Sequence, residues 1–304
     1  MRTGRKKVYI MPSVTANGIK IEYETFGDKS STPILLIMGL GDQMIGWHED
    51  FCKRLVEEGL FVIRFDNRDA GLSTKFDAFG IPDIDEAVKA SMQGRKVHAP
   101  YSLEDMADDA IGLLDALDIE NAHICGASMG AMITQVIGYR HPSRALTLIL
   151  IMGSTGNPDL PPAKPEAMDL LFMPAPQERE AYIEYSVVLS KVLWGSLHFD
   201  EEEIRRRKAR EFDRAFYPPG LVRQYAAIIT TGYRKPRLSG ITAPTLVIHG
   251  SEDPLIPVEA GKDTAEAIPG AELMIVEGMG HSLPKAAWSD IVSAIARHVA
   301  KGEG

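Results

Sequence analysis

The stretch AHICGASMGAMITQVIGYRHP, residues 122–142, decides the fold. Ala122 to Cys125 is a short apolar run of strand composition, and beyond Ser128 the apolar residues Met129, Met132, Ile133, Val136 and Ile137 recur at the spacing of one helix face. A strand therefore enters, a helix leaves, and Ser128 stands at the corner. Gly126 and Gly130 lie two positions either side of it, where side chains would collide as the chain doubles back; glycine removes that obstacle. The bend holds the serine hydroxyl at a helix N-terminus, where free backbone N–H groups and the positive dipole end favour a developing oxyanion. Pro142 then ends the helix. With 27 glycines in 304 residues, the pattern G-x-S-x-G arises by accident often enough to need this strand-and-helix context.

Working outward, buried strands and helices alternate. Gly18 to Phe26 alternates Ile19, Ile21 and Tyr23 with polar residues, the pattern of a half-exposed antiparallel strand. Pro33 to Met38 and Leu60 to Phe65 are continuous apolar runs, as expected of strands covered on both faces of a parallel sheet. Trp47 to Glu58 reads as a helix, and so does Leu103 to Leu117, with Ser102 and Asp105 as its capping pair. Further strands are expected at Ala145 to Met152, Thr245 to His249 and Glu272 to Val276. The fold class is α/β: a mostly parallel, doubly wound sheet whose sites form beyond the carboxyl ends of the strands.

Two segments interrupt the alternation. Phe76 to Tyr101 is a long connection with a short helix at Asp83 to Gln93; it follows a strand's carboxyl end, and the sequence leaves open whether it borders the site. Beyond Gly153 comes a Pro-rich stretch and then helical runs at Gln177 to Leu193, Glu201 to Phe216 and Gly220 to Thr230. The simplest division is a core of residues 1–155 and 236–304 with residues 156–235 inserted as a helical cap. Glu201 to Glu203 followed by Arg205 to Arg207 places opposite charges three and four apart, a solvated face with local ion pairs.

Composition narrows the function classes. A hydrophobic fraction of 45% with 25% charged residues is that of a globular protein with a large core. A net charge of -9 argues against general nucleic-acid binding, which rests on clustered Lys and Arg. Arg2, Arg5, Lys6 and Lys7 form a basic cluster with no apolar segment after it, read as a disordered tail rather than a signal peptide. No apolar run of membrane-spanning length occurs. Cys52 and Cys125 are too few for a disulfide framework or a metal site and read as reduced core thiols of a cytoplasmic protein.

A serine hydroxyl needs a base, and the base an acid that fixes its tautomer. Among eight histidines, His281 follows the last strand in the flexible loop Gly278-Met279-Gly280, free to present its ring above the sheet; His249 and His123 lie at or within strands and read as core. Asp253 sits in the loop after the strand ending at His249, held by Pro254. Glu252 and Asp159 are its alternatives. The catalytic residues are thus expected to be Ser128, Asp253 and His281, in that chain order. Oxyanion donors are expected from the N–H of Met129 and, in the glycine-rich turn Gly39-Leu40-Gly41, from that of Leu40.

These residues carry a family resemblance. Met38-Gly39 with Gly46-Trp47, RFDNRDAGLST from Arg64 to Thr74, GASMGAMITQVI from Gly126 to Ile137, and APTLVIHGSEDPLIP followed by GMGHSLP resemble the α/β-hydrolase superfamily over nearly the full length. More narrowly, they are similar to bacterial carboxylesterases of the aclacinomycin-methylesterase type. Many relatives carry His before the first oxyanion glycine; this chain has Met38. The resemblance implies an α/β-hydrolase fold and two-step acyl transfer on a small-molecule ester, with no metal or cofactor. The pocket is expected to be lined by Met38, Leu40, Met44, Ile45, Met129, Met152, Leu171, Phe172, Met173 and Trp194, tolerant of small to medium acyl or aromatic groups because Met adapts its shape. The motif leaves open a lactonase, a carbon–carbon bond hydrolase, a cofactor-free perhydrolase and, from another class, a non-catalytic ligand receptor.

Overall fold

A computed structural model of the chain describes residues 12–302; the basic cluster at Arg2 to Lys7 lies outside them. The strands are β1 (Ser13–Ala16), β2 (Ile19–Phe26), β3 (Thr32–Ile37), β4 (Leu60–Phe65), β5 (Ala122–Ala127), β6 (Ala145–Ile151), β7 (Thr245–Gly250) and β8 (Glu272–Val276). They form one sheet in the order β1-β2-β4-β3-β5-β6-β7-β8. β1 pairs antiparallel with β2 and β2 with β4, while every pairing from β4 to β8 is parallel. The mostly parallel sheet expected from the apolar runs is therefore present. β1 was not read from the sequence, its four residues being too few to show a period.

The helices are α1 (Glu49–Glu57), α2 (Ile84–Met92), α3 (Leu103–Ala116), α4 (Met129–Arg140), α5 (Pro165–Phe172), α6 (Arg179–Trp194), α7 (Glu201–Ala215), α8 (Pro218–Thr231), α9 (Lys235–Leu238), α10 (Val258–Ala267) and α11 (Trp288–Val299). Alternate residues of each strand feed two apolar layers. Leu35 and Ile37 of β3 pack with residues of α3 and α4, whereas Ile34 and Leu36 pack with residues of α1 and α11. All four are fully buried, which is why β3 reads as an unbroken apolar run; each such side chain contributes about 1.5–3 kcal/mol of transfer free energy. The edge strand β8 is half exposed. Ser102 caps α3 as expected: its hydroxyl accepts the Asp105 N–H, and Asp105 accepts the N–H of Ser102.

Five helices, α5 to α9, lie between the neighbouring strands β6 and β7. Their attachment to the sheet is polar and buried. Arg223 of α8 donates Nε to Asp69 Oδ2 and Nη2 to Asp69 Oδ1, both at 2.9 Å, in the loop after β4. The same carboxylate accepts Tyr101 Oη–H at 2.7 Å and the Phe76 N–H at 2.9 Å. Arg223 also donates to the Gly80 carbonyl, and Tyr217 contacts Asp77. No residue of the Phe76 to Tyr101 connection lines the main cavity. The question that the sequence left open is thus answered: the segment braces α8 from outside.

Candidate active site

The chain turns at Ser128 with φ 55° and ψ -119°, a conformation that L residues seldom adopt. The neighbouring glycines make the turn possible in a measurable way: a Cβ on Gly126 would fall 2.1 Å from the Gly130 carbonyl oxygen, and one on Gly130 2.1 Å from that of Ile37. Ser128 itself is anchored by its N–H donating to the Ile151 carbonyl at 2.9 Å. The strand order reverses between β3 and β5, the crevice where doubly wound sheets bind ligands. Ser128 follows β5 and Gly39 follows β3, so that a Cβ on Gly39 would lie 3.2 Å from Ser128 Cβ.

His281 Nε2 lies 2.9 Å from Ser128 Oγ, and His281 Nδ1 lies 2.7 Å from Asp253 Oδ2. Because a carboxylate only accepts, Nδ1 carries the proton and Nε2 turns its lone pair toward the serine hydroxyl. The fully buried Asp253 side chain is held by Leu255 N–H at 2.9 Å and Ile256 N–H at 2.8 Å, both on Oδ1. Of the alternative acids, Glu252 accepts from Ser196 Oγ, and the Asp159 backbone N–H donates to Asn157 Oδ1. The His281 loop is tied to the end of α6: Gly280 N–H donates to the Trp194 carbonyl at 2.9 Å and His281 N–H to that of Leu193 at 2.6 Å. Met129 opens α4, so its N–H has no acceptor within the helix. Leu40 lies in the loop facing it. Among the described residues, no cluster of three or more His, Cys, Asp or Glu is placed to hold a metal ion.

Above Ser128 and His281 lies a cavity of about 710 Å3. Met38, Leu40, Met152, Leu171, Phe172, Met173 and Trp194 line it. Met44 and Ile45 do not: they sit in a short 3-10 turn, buried, with the Met44 N–H donating to Asp66 Oδ1 at 2.8 Å, so the turn points their side chains into the protein. Met129 is also buried outside the lining, although its neighbour Met132 is part of it. The charged run on α7 departs from a purely solvated face. Arg205 pairs with Glu201 and Glu184 in solvent, but Glu203, Arg207 and Lys208 reach the cavity wall, where Glu203 meets His48 Nε2 at 3.0 Å. Spacing on α7 carries the missed signal: Ile204, Lys208 and Glu211 share a helix face, and Ile204 and Glu211 are buried.

His249 packs at the back of this site, as expected of a core histidine. Its Nε2 lies 2.8 Å from the Ile256 carbonyl and 3.6 Å from Asp253 Oδ2, and its ring rests on Gly261. Burial holds its imidazole below the ordinary 6.5. Below that pH the unfolded chain takes up a proton that the folded chain refuses, so stability is lost as pH falls from 6.5 through the depressed folded value. The urea midpoint is therefore expected to decline below about pH 6.5 more steeply in wild type than in His249→Gln. Parallel declines would refute that origin.

A family profile described as alpha/beta hydrolase fold matches residues 32–284. Rhodomycin D methylesterase DnrP of Streptomyces peucetius is 30% identical over 306 aligned residues, covering 94% of this chain and 96% of that protein. A 2-hydroxy-6-oxononadienedioate/2-hydroxy-6-oxononatrienedioate hydrolase of Dechloromonas aromatica (strain RCB) is 33% identical over 56% of this chain and 59% of its own length. Among solved structures, a meta-cleavage product hydrolase from Pseudomonas fluorescens IP01 shares the fold with a TM-score of 0.73 at 19% identity, covering 95% of this chain and 97% of that one. No helix among the described residues is long and apolar enough to cross a membrane.

Proposed function

The chain belongs to the α/β-hydrolase fold family, and from that premise we propose that it is a serine carboxylesterase acting on small to medium carboxylic esters. The observation that carries the proposal is the hydrogen-bonded line from Ser128 Oγ through His281 to Asp253 at the floor of a largely apolar cavity. Similarity to a methylesterase over nearly the whole chain supports ester chemistry.

In the mechanism, Ser128 Oγ attacks the ester carbonyl while His281 Nε2 takes its proton. Asp253 keeps Nδ1 protonated and stabilises the imidazolium. The carbonyl oxygen becomes an anion, held by the N–H groups of Leu40 and Met129. Collapse of the tetrahedral intermediate breaks the bond to the alcohol, which leaves with the proton from His281. Water then attacks the acyl-enzyme, with His281 as base, and releases the acid and free Ser128. Residues 156–235 act as a cap whose inner face, with Met38 and Met152, selects the acyl and alcohol groups.

The test is a p-nitrophenyl ester series from acetate to palmitate, run beside lactone, diketone and peracid assays, with intact mass and peptide mapping after an organophosphonate. Burst hydrolysis favouring the short and medium esters, with the adduct on Ser128, is the expected result. Equal rates along the series would sink the size preference. An adduct with turnover confined to diketones or lactones would reassign the chemistry, and the absence of both adduct and turnover would overturn the esterase reading.

A further inference from the structure

The turn expected to supply the second oxyanion donor is held from outside the sheet. Gln224 lies on α8 and is fully buried. Its Oε1 accepts the Gly41 N–H at 2.8 Å, and its Nε2 donates to the Arg68 carbonyl at 2.7 Å. One partner is a donor and the other an acceptor, so the amide orientation is fixed. On the other side of the turn, Asn67 Nδ2 donates to the Met38 carbonyl at 2.9 Å. Asn67 and Gln224 thus grip the loop two residues before Leu40 and one residue after it. Gly41 has φ +73°, and Leu221, also on α8, packs against it so closely that an added Cβ would lie 3.0 Å from Leu221 Cδ1. Gln224 does not line the cavity, so it reaches the reacting atoms only through the turn it holds.

We propose that Gln224 is a positioning residue for the reaction: from α8 it fixes the Leu40–Gly41 peptide plane and, with Asn67 on the Met38–Gly39 plane, confines between them the Gly39–Leu40 peptide whose N–H is aimed at the oxyanion, making oxyanion stabilisation depend on the seating of the helical segment. The inference rests on the serine-esterase reading and deepens it. A donor contributes to catalysis only when it already points where charge develops, and removing one costs about 100- to 1000-fold in kcat. A donor left in place but released from its clamp should cost less.

The test uses the full chain and compares wild type with Gln224→Met, which keeps the volume and loses both hydrogen bonds, and Gln224→Glu, which keeps the acceptor for Gly41. Active sites are titrated with an organophosphonate so that rates are read per competent molecule. For Gln224→Met the expected result is a fall in kcat of roughly 10- to 100-fold, with KM changed less than about threefold. Affinity for a trifluoromethyl ketone, which forms the oxyanion on Ser128, should fall in parallel with kcat/KM. Gln224→Glu should retain more activity, and its rate relative to wild type should rise as pH falls and its carboxyl, once protonated, donates to the Arg68 carbonyl. A merely structural role would lower the titrated fraction and Tm and leave kcat per site and trifluoromethyl-ketone affinity unchanged. If Gln224→Met does not fold, Gln224→Glu decides by the same ratio and its pH response. Ester turnover in wild type with an unchanged kcat per site in the variant overturns the positioning role alone. Absence of both adduct and turnover in wild type overturns the esterase reading beneath it.

Discussion

Replacing Ser128 by alanine is expected to lower kcat/KM on any ester the wild type hydrolyses by roughly four to six orders of magnitude, with Tm little changed. The change removes one oxygen from a half-buried side chain and leaves the backbone bend to Gly126 and Gly130. Asp253→Asn should cost about 10,000-fold for a different reason. The carboxylate accepts Leu255 N–H, Ile256 N–H and His281 Nδ1–H. An amide can keep the two backbone contacts on its oxygen only by turning its NH2 toward His281, which forces the proton onto Nε2 and removes the lone pair facing Ser128. Combining Ser128→Ala with Asp253→Asn should add almost nothing, because both disable one unit. Steady-state rates of the three variants check this, and additive losses would mean that the residues do not act together.

The second large effect concerns stability. Asp69 and Arg223 have side chains 0% and 1% exposed, and each completes the other. Asp69→Ala removes the buried counter-ion of this guanidinium, leaving it the Gly80 carbonyl, Tyr217 and the exposed Asp77 at 3.7 Å, and is expected to cost about 3–5 kcal/mol, as breaking a buried pair does. For a chain of this size that is a drop in Tm of roughly 6–10 °C. Arg223→Met leaves Asp69 with Tyr101 and the Phe76 N–H, and should cost less. The double variant should lose clearly less than the sum of the two single ones, because neither ion of the pair is left behind without the other. Calorimetry of the four proteins measures the coupling; strict additivity would show that the pair is solvated despite its burial.

Most of the sheet was legible because its signals are local. A strand buried on both faces must be apolar at every position, as Ile34 to Ile37 are, and a sharp strand-to-helix corner needs glycine at two fixed offsets. Loops after strands brought Asp253 and His281 into view for the same reason: glycine and proline announce where side chains can be presented. Contacts that join distant parts of the chain left no such trace. His48 meets Glu203 across 155 positions, and Gln224 meets Gly41 across 183; nothing near any of them in sequence specifies the partner. The Pro-rich stretch before α5 misled in another way. Pro165 opens that helix at its first turn, where the missing N–H costs nothing, yet in a cluster of prolines it reads as loop. Met44 and Ile45 were misplaced because apolar character beside the glycine turn does not say which way a 3-10 turn faces.

The tie between the His281 loop and the carboxyl end of α6 bears on how such an enzyme can be re-engineered. A graft that exchanged the helical segment for that of a relative would have to reproduce the Leu193 and Trp194 carbonyls in place, or the loop bearing His281 would lose two of its anchors. Recombination breakpoints on either side of α6 therefore carry substrate range and base placement together, as one heritable block. Point substitutions at Leu171, Phe172 or Met173, on and just after α5, change the cavity wall without touching those carbonyls, and they are the positions at which selectivity can drift while turnover chemistry stays intact.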